Sequence, residues 1–194
     1  MKKNLVTAVL MTIATTVLLG IIYPLVVTGI AQVLFPKKAN GQLIEANGKI
    51  IGSRIIAQAF TAPGYFHPRP SAVGYDPTNS NGSQLGPTNQ KLVDRVKGDA
   101  TTAQAENPGT PVPIDLVTTS ASGLDSDITP DAAAFQLPRV AKTRGVNEEA
   151  LRQLVAKHTV GRQLGFLGEP RVNVLELNLD LDRQFPESKQ SRGE

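Results

Sequence analysis

The most constraining feature of the sequence is an uncharged segment near its amino end. From Asn4 through Pro36 no residue carries a charge, and residues 5–35 are predominantly apolar, reading LVTAVLMTIATTVLLGIIYPLVVTGIAQVLF. A helix needs about 20 apolar residues to cross the hydrocarbon core of a bilayer. A secretory signal has an apolar region of only about 7–15 residues, followed by a small-residue cleavage site. The segment therefore predicts an uncleaved transmembrane helix.

This helix is longer than a bilayer requires. At about 1.5 Å per residue it would extend roughly 46 Å, against about 30 Å of hydrocarbon. A helix that enters the bilayer near Asn4 would place Tyr23 at the far interface, where aromatic residues are common. Pro24 predicts a kink there. The apolar stripe continues to Leu34, so we expect its outer part to pack against protein.

One face of the predicted helix carries small residues at a four-residue interval. They are Ala8, Thr12, Thr16 and Gly20. Small residues let helix backbones approach closely in lipid, so this face predicts packing against a partner helix. The alternative is that Ala, Thr and Gly are simply common in membrane helices.

The charge of the chain argues against a nucleic-acid partner. The sequence has 20 Lys and Arg and 17 Asp and Glu, a formal net charge of +3. Two of the basic residues, Lys2 and Lys3, precede the apolar segment, so the remainder is nearly balanced. A nucleic-acid-binding protein concentrates basic residues on one face. Lys37 and Lys38 follow the segment, so positive charge at both ends leaves the orientation undecided.

The sequence offers no recognisable catalytic or metal centre. It has no Cys, which excludes disulfides, thiol nucleophiles and thiolate metal sites. His67 and His158 are expected to be structural or exposed. Asp125, Asp127 and Asp131 lack the Gly and terminal Glu of a calcium loop, so turn and capping roles are expected. No phosphate-binding loop or nucleophile elbow occurs. We therefore predict no catalytic residue and no metal ligand.

The rest of the chain predicts an α+β domain with short strands and several helices, anchored by the one amino-terminal transmembrane helix. Asn47-Gly48 is a strong hairpin signal within LIEANGKIIG. The other predicted elements follow in chain order. They are a Gly- and Pro-rich loop at 60–87, a helix opening at 88–97, a linker at 98–111, a strand-like run at 113–118, a helix at 130–143, a helix from Asn147 to about His158, a strand of alternating leucines at 175–182 and a flexible tail at 186–194. The hydroxyl of Thr129 is expected to cap the helix at 130–143, which Pro138 interrupts and Gly145 ends.

Four long segments resemble one known family. They read YPLVVTGIAQVLFPKKANGQLI, GYFHPRPSAVGYDPTNSNGSQLGPTNQKLVDRV, PIDLVTTSASGLDSDITPDAAAFQLPRVAKTRG and HTVGRQLGFLGEPRVNVLELNLDLD. In this order, from Tyr23 to Asp182, they resemble KdpC, the C subunit of the bacterial KdpFABC potassium-transporting P-type ATPase. Two departures are His67 and Asn81, which stand where the family often has Gly.

The resemblance implies a topology and a set of partners. Residues 1–4 would be a cytoplasmic stub, 5–35 the transmembrane helix with an outer extension, and 36–185 a periplasmic domain at the bacterial inner membrane. The partners would be the ion-conducting KdpA, the ATPase subunit KdpB, the small KdpF and membrane lipid. ATP and K⁺ would be handled by the complex, so this chain would need no cofactor and would not be an enzyme by itself.

Two hypotheses follow for its role. In the first, the chain stabilises the assembly and gates or shapes the outer potassium entrance. The residues expected to contact partners are Tyr65, Phe66, Arg69, Asp76, Ser83, Leu85 and Asn89. In the second, the chain is a nucleotide-binding helper that raises the ATP affinity of the ATPase subunit. The residues that this alternative would use are Asn81, Gly82, Ser83 and Gln84. An anchored hydrolase is disfavoured because no nucleophile–base pair is evident.

Overall fold

The computed structural model of the protein describes residues 2–46 and 48–186. The chain divides into two compact units, Met1–Ser53 and Arg54–Glu194. We call them the amino-terminal unit and the carboxyl-terminal unit, and describe each by itself. Helices and short antiparallel strands occur together, so the predicted α+β class is confirmed.

The amino-terminal unit begins with a continuous helix of 33 residues, Lys2–Leu34. It consists of α1 (Lys2–Thr15), a π-helical segment (Thr16–Ile22) and α2 (Tyr23–Leu34). Within the described residues it is the one helix long and apolar enough to cross a membrane. Hydroxyl groups of Thr7, Thr12 and Thr15 donate to backbone carbonyls four residues earlier, so the helix itself satisfies these polar atoms.

The π-helical segment ends at Ile22, two residues before Pro24. The N–H of Tyr23 donates to the carbonyl of Leu18, five residues earlier, instead of the usual four. Proline has no N–H and its ring crowds the preceding turn, which is one physical reason for wider turns at this point. The kink expected at Pro24 stays a prediction.

A short helix, α3 (Pro36–Ala39), leads to the predicted hairpin, which is confirmed. Strands β1 (Leu43–Ala46) and β2 (Lys49–Ser53) pair antiparallel, with a bulge between Ile44 and Glu45. Asn47 lies outside the described residues, and Gly48 has a φ of +73°, a conformation that glycine adopts without strain.

The carboxyl-terminal unit packs three helices against a small sheet. The elements are α4 (Gln90–Glu106), a 3₁₀ turn (Ile114–Leu116), β3 (Asp127–Ile128), α5 (Pro130–Arg144), α6 (Glu148–His158), β4 (Thr159–Val160), β5 (Arg171–Asn173) and α7 (Val174–Gln184). The antiparallel sheet has the order β3-β5-β4. Helices α5, α6 and α7 supply most of the buried core, which also contains Phe66 from the preceding loop.

The helix boundaries at α5 and α6 agree with the sequence signals. Thr129 caps α5 by accepting from the N–H of Ala132, and Asn147 caps α6 by accepting from Glu149. Gly145 ends α5 in the left-handed conformation, as predicted. The predicted interruption at Pro138 is wrong, because α5 is continuous. Proline removes one backbone hydrogen bond, but the buried Leu137 and Val140 on either side hold the helix to the core.

Two predictions around residue 110 are wrong. Most of the predicted linker 98–111 belongs to α4, which runs to Glu106. Ala100 and Ala103 extend its half-buried stripe by a turn, and the single Gly98 is too small a penalty to end the helix. The strand-like run 113–118 forms the 3₁₀ turn instead. There Asp115 is buried, and its carboxylate accepts from the N–H of Thr129 at 2.7 Å.

The predicted strand of alternating leucines is also wrong, since residues 174–184 form α7. Asn173 caps this helix by accepting from the N–H of Glu176. The buried Val174, Leu177 and Leu181 have helical spacing, so the same leucines satisfy both periodicities. By contrast, the predicted loop is confirmed, because residues 54–89 contain no helix or strand. The predicted tail 186–194 lies outside the described residues from 187 onward.

Candidate functional site

Residues 54–89, which we call the long loop, contain most of the side chains predicted to contact partners. Two consecutive residues of this loop are bound through their backbones by buried amides. Asn178 of α7 accepts from the N–H of Phe66 at 2.9 Å and donates to its carbonyl at 2.8 Å. Gln136 of α5 accepts from the N–H of His67 at 2.7 Å and donates to its carbonyl at 3.2 Å. The loop is therefore fixed to both helices.

The location of Phe66 corrects one expectation about its role. Its side chain is 0% exposed and lies in the hydrophobic core. Burying a phenylalanine contributes about 1.5–3 kcal/mol. Phe66 therefore anchors the long loop internally and offers no surface for a partner.

Two arginines bind the carbonyls of the same loop. Arg139 donates to the carbonyls of Pro63 at 2.6 Å and Tyr65 at 3.0 Å. Arg144, whose side chain is fully buried, donates to the carbonyl of Gly64 at 2.6 Å and pairs with Asp182 at 2.8 Å. These charge-assisted bonds satisfy carbonyls that no helix or strand could pair.

Tyr65 is half-buried beside Arg144. The guanidinium carbon lies 4.6 Å from the centre of the tyrosine ring, and the phenol donates to Asp182 at 3.0 Å. Partial burial, together with the neighbouring Asp182, raises the pKa of the Tyr65 phenol. The residue is thus a partly exposed member of an internal cluster, and its predicted partner contact stays a prediction.

Arg69 and Asp76 hold later turns of the long loop. Arg69 pairs with Asp125 at 3.0 Å, and its carbonyl accepts from the phenol of Tyr75 at 2.9 Å. Asp76 is exposed and accepts from both the N–H and the hydroxyl of Thr78, which lowers the pKa of its carboxyl. Arg69 therefore links the loop to the segment before β3, whereas Asp76 shapes a surface turn.

The proposed nucleotide segment makes contacts within the protein. The amide of Gln84 donates to Asn81 at 2.8 Å, and Ser83 lies within hydrogen-bond distance of Thr119. A Cβ at Gly82 would lie 2.9 Å from the carbonyl of Ala121, so glycine is needed for this close approach. These contacts pack the turn against the segment around Thr119 and Ala121, and the predicted binding of a nucleotide here stays a prediction.

The last two predicted contact residues, Leu85 and Asn89, both precede α4. Asn89 is the amino-terminal cap of this helix, since its side chain accepts from the N–H of Lys91 at 2.9 Å. Leu85 is half-buried. Their predicted partner contacts, like that of Ser83, stay predictions.

The small-residue face of the first helix is exposed throughout. Ala8, Thr12, Thr16 and Gly20 are all exposed, and a Cβ at Gly20 would meet only the methyl group of Thr16, at 3.9 Å. The face is available for close helix packing, which remains a prediction.

The histidines and acidic residues are involved in internal contacts. Both Lys157 and His158 lie 2.8 Å from the same carboxylate oxygen of Asp180, and the hydrogen bond from Lys157 contributes most to lowering the pKa of that carboxyl. Burial lowers the pKa of His67, whose ring lies 3.1 Å from the carbonyl of Ala62. Residues 2–46 and 48–186 contain no group of His, Asp and Glu able to hold a metal ion.

The acidic loop before α5 uses its carboxylates in ion pairs as well as turns. Asp125 binds Arg69, as described above, and Asp127 pairs with Arg171 at 3.0 Å. Asp131 lies in the first turn of α5, where a negative charge is favourable.

Sequence reasoning missed the polar residues of α5 and α7 that hold the long loop. The buried ones are Gln136, Arg144 and Asn178, and they act together with the partly buried Arg139 and the exposed Asp182. Asn178 lies within the leucine-rich run that predicted a strand, and the alternation placed it on the solvent face. A helical interpretation of the same run would have placed it beside Leu177 and Leu181 on the buried face.

Comparisons with known proteins extend over nearly the whole chain. The family model described as "KdpC: K+-transporting ATPase, c chain" matches residues 5–183. The potassium-transporting ATPase KdpC subunit of Koribacter versatilis is 67% identical over 188 residues, covering 96% of this chain and 97% of the relative. The subunit of the same name from Rhodopseudomonas palustris strain BisB18 is 55% identical, covering 94% and 98%. That from Methylobacterium nodulans is 53% identical, with the same coverage. This chain therefore belongs to the KdpC family of potassium-transporting ATPase subunits.

Proposed function

We propose that this chain is a non-catalytic accessory subunit that stabilises the assembly of a potassium-transporting ATPase and shapes its outer potassium entrance. In this proposal it binds the ion-conducting KdpA, the ATPase subunit KdpB and the small KdpF. It lies in the bacterial inner membrane with residues 1–4 in the cytoplasm. Residues 36–185 then form the periplasmic domain, as the family resemblance implies.

One observation carries the proposal: backbone groups of residues 63–67 in the long loop are bound within the domain. The backbones of Phe66 and His67 are held by buried amides, and neighbouring carbonyls are held by Arg139 and Arg144. A loop held in this way has a fixed shape at low entropic cost, which suits recognition of another protein. Side chains with internal partners of this kind are poorly placed to act as nucleophile and base.

The exposed helix supports the same proposal. Its small-residue face would let a partner helix approach, and most of its surface is apolar and exposed. An apolar surface of this kind requires lipid or protein around it.

The test is assembly of the complete complex in cells, followed by purification and transport assays. We expect Gly20→Leu to reduce recovery of the complex several-fold, because the new side chain separates the two helix backbones. Gly29→Leu is the matched control, since Gly29 is also an exposed glycine of the same helix but does not belong to the four-residue series of small residues. Arg69→Ala would test the loop in the same assay.

Normal assembly and transport in both Gly20→Leu and Arg69→Ala would refute these sites. Specific micromolar binding of labelled ATP by the purified chain would instead favour the nucleotide-binding alternative.

A further inference from the structure

The hairpin between β4 and β5 has an unusually apolar end. We call residues 162–169 the hairpin tip. Leu164 is 83% exposed, Phe166 69% and Leu167 48%. Single exposed apolar side chains are normal on a protein surface, but a contiguous group of them marks an interaction site. The tip takes no part in holding the long loop, so the contacts described above do not explain it.

Backbone hydrogen bonds close the tip into one defined shape. Gln163 and Leu167 exchange two such bonds, of 2.8 Å and 2.9 Å. The N–H groups of Gly165 and Phe166 donate to the carbonyls of Arg162 and Gln163. The three apolar side chains are therefore presented by a preformed turn, and little ordering would be needed on binding.

The backbone of Leu164 is held in an unusual conformation. Its φ is +52°, in the left-handed region that favours glycine, and Gly165 follows at +82°. A large apolar residue that is both strained and exposed gains nothing from packing within its own domain. Such strained positions cluster at functional sites.

The charges beside the tip indicate the kind of partner. Arg162 pairs with Glu169 at 2.7 Å, and Arg171 pairs with Asp127 at 3.0 Å. These pairs cancel the basic charge that attracts a protein segment to anionic lipid. An apolar tip with balanced charge complements an uncharged, apolar pocket on a protein.

We infer that the hairpin tip docks into an uncharged apolar pocket on another subunit of the ATPase, with Phe166 as its central side chain. This inference rests on the proposed function, because it requires that the chain assemble with other subunits. Aromatic side chains that become buried at the centre of an interface on binding are typical hot spots of binding energy.

The first experiment replaces Phe166 by the photoreactive amino acid p-benzoylphenylalanine in cells that produce the complete complex. We expect illumination to link the chain covalently to another subunit of the ATPase. The matched control is the same replacement at Ile114, which is 72% exposed in the 3₁₀ turn and should give no such product. Adducts only with lipid, adducts only with a second copy of this chain, or no adduct would overturn the inference.

The second experiment measures how much of the chain remains with the complex during detergent washing. We expect Phe166→Ser with Leu164→Ser to reduce retention about 10-fold or more, and Ile114→Ser to leave it unchanged. All three side chains are exposed, and circular dichroism of the purified chain would show that the fold persists. Retention equal to wild type would overturn the inference.

The wild-type chain distinguishes the two proposals. If it fails to co-purify with other subunits, the proposed function fails and the inference fails with it. If it co-purifies while the tip gives no crosslink and the double variant is retained, only the inference fails.

Discussion

The first helix and the long loop represent opposite ways of ordering a chain. Residues 2–34 have regular backbone hydrogen bonds, yet their side chains are almost all exposed. The long loop has no helix or strand, yet side chains of α5 and α7 bind backbone groups of five consecutive residues in it, 63–67. In this protein, a segment can therefore have regular secondary structure without tertiary contacts, or tertiary contacts without regular secondary structure. The helix needs an environment of lipid or protein, whereas the loop obtains its order from its own domain.

Removal of the Asn178 amide should have the largest effect, because this side chain binds the backbone of the long loop. We expect Asn178→Leu to destabilise the carboxyl-terminal unit by about 3 kcal/mol, because it leaves the buried N–H and carbonyl of Phe66 unpaired. Chemical denaturation of the full chain in detergent would measure the change. Gln153→Leu, at an exposed position of α6, is the control and should change stability by less than about 0.5 kcal/mol.

Limited proteolysis adds a local measurement to the same variant. We expect faster cleavage within the long loop if Asn178 holds it in place. Unchanged stability and unchanged cleavage would show that the loop is ordered by something other than this amide.

Acidification should reduce the free energy of unfolding by a smaller amount. The group responsible is Asp180, which also lies on α7. Hydrogen bonds from Lys157 and His158 hold the pKa of this carboxyl below its ordinary value of 3.8. Its contribution to stability is therefore complete above about pH 4 to 5 and is lost as the pH falls through the lower, folded-state value. We expect Asp180→Asn to be less stable than wild type at pH 7 and to lose less stability between pH 4 and pH 2.

Denaturation curves at several pH values would test this dependence. Asp94→Asn, at an exposed position on α4, serves as the control. It should lose as much stability between pH 4 and pH 2 as wild type does. If Asp180→Asn lost as much stability between pH 4 and pH 2 as wild type, the role of this carboxylate would be contradicted.

The smallest effect is expected in the first helix. A Cβ at Gly20 would meet only the Thr16 methyl group, so Gly20→Ala should not destabilise the purified chain, and the greater helix propensity of Ala should stabilise it by at most about 1 kcal/mol. Thermal denaturation in detergent would measure it. A loss of several kcal/mol would mean that this face already packs tightly within the chain, and would remove the contrast between helix and loop.

Local signals predicted elements well when a few neighbouring residues determined them. Thr129, Gly145 and Asn147 mark the ends of helices because capping depends on nearby N–H and carbonyl groups. The long loop was also predictable, because its Gly and Pro residues disfavour both kinds of regular structure. Its attachment was not predictable, since the groups that bind it come from α5 and α7, about 70 to 110 residues away.

Four features could be predicted from the order of the amino acids alone: the membrane-length helix, the hairpin, the caps of α5 and α6, and the family to which the chain belongs. Each depends on composition, on neighbouring residues or on long matching segments. The helix at residues 174–184 and the internal location of Phe66 became evident only from the folded domain. Alternating leucines fit either periodicity, and the choice between them depends on which residues the rest of the domain can bury. Burial against distant elements is a property of the folded domain, so no local pattern contains it.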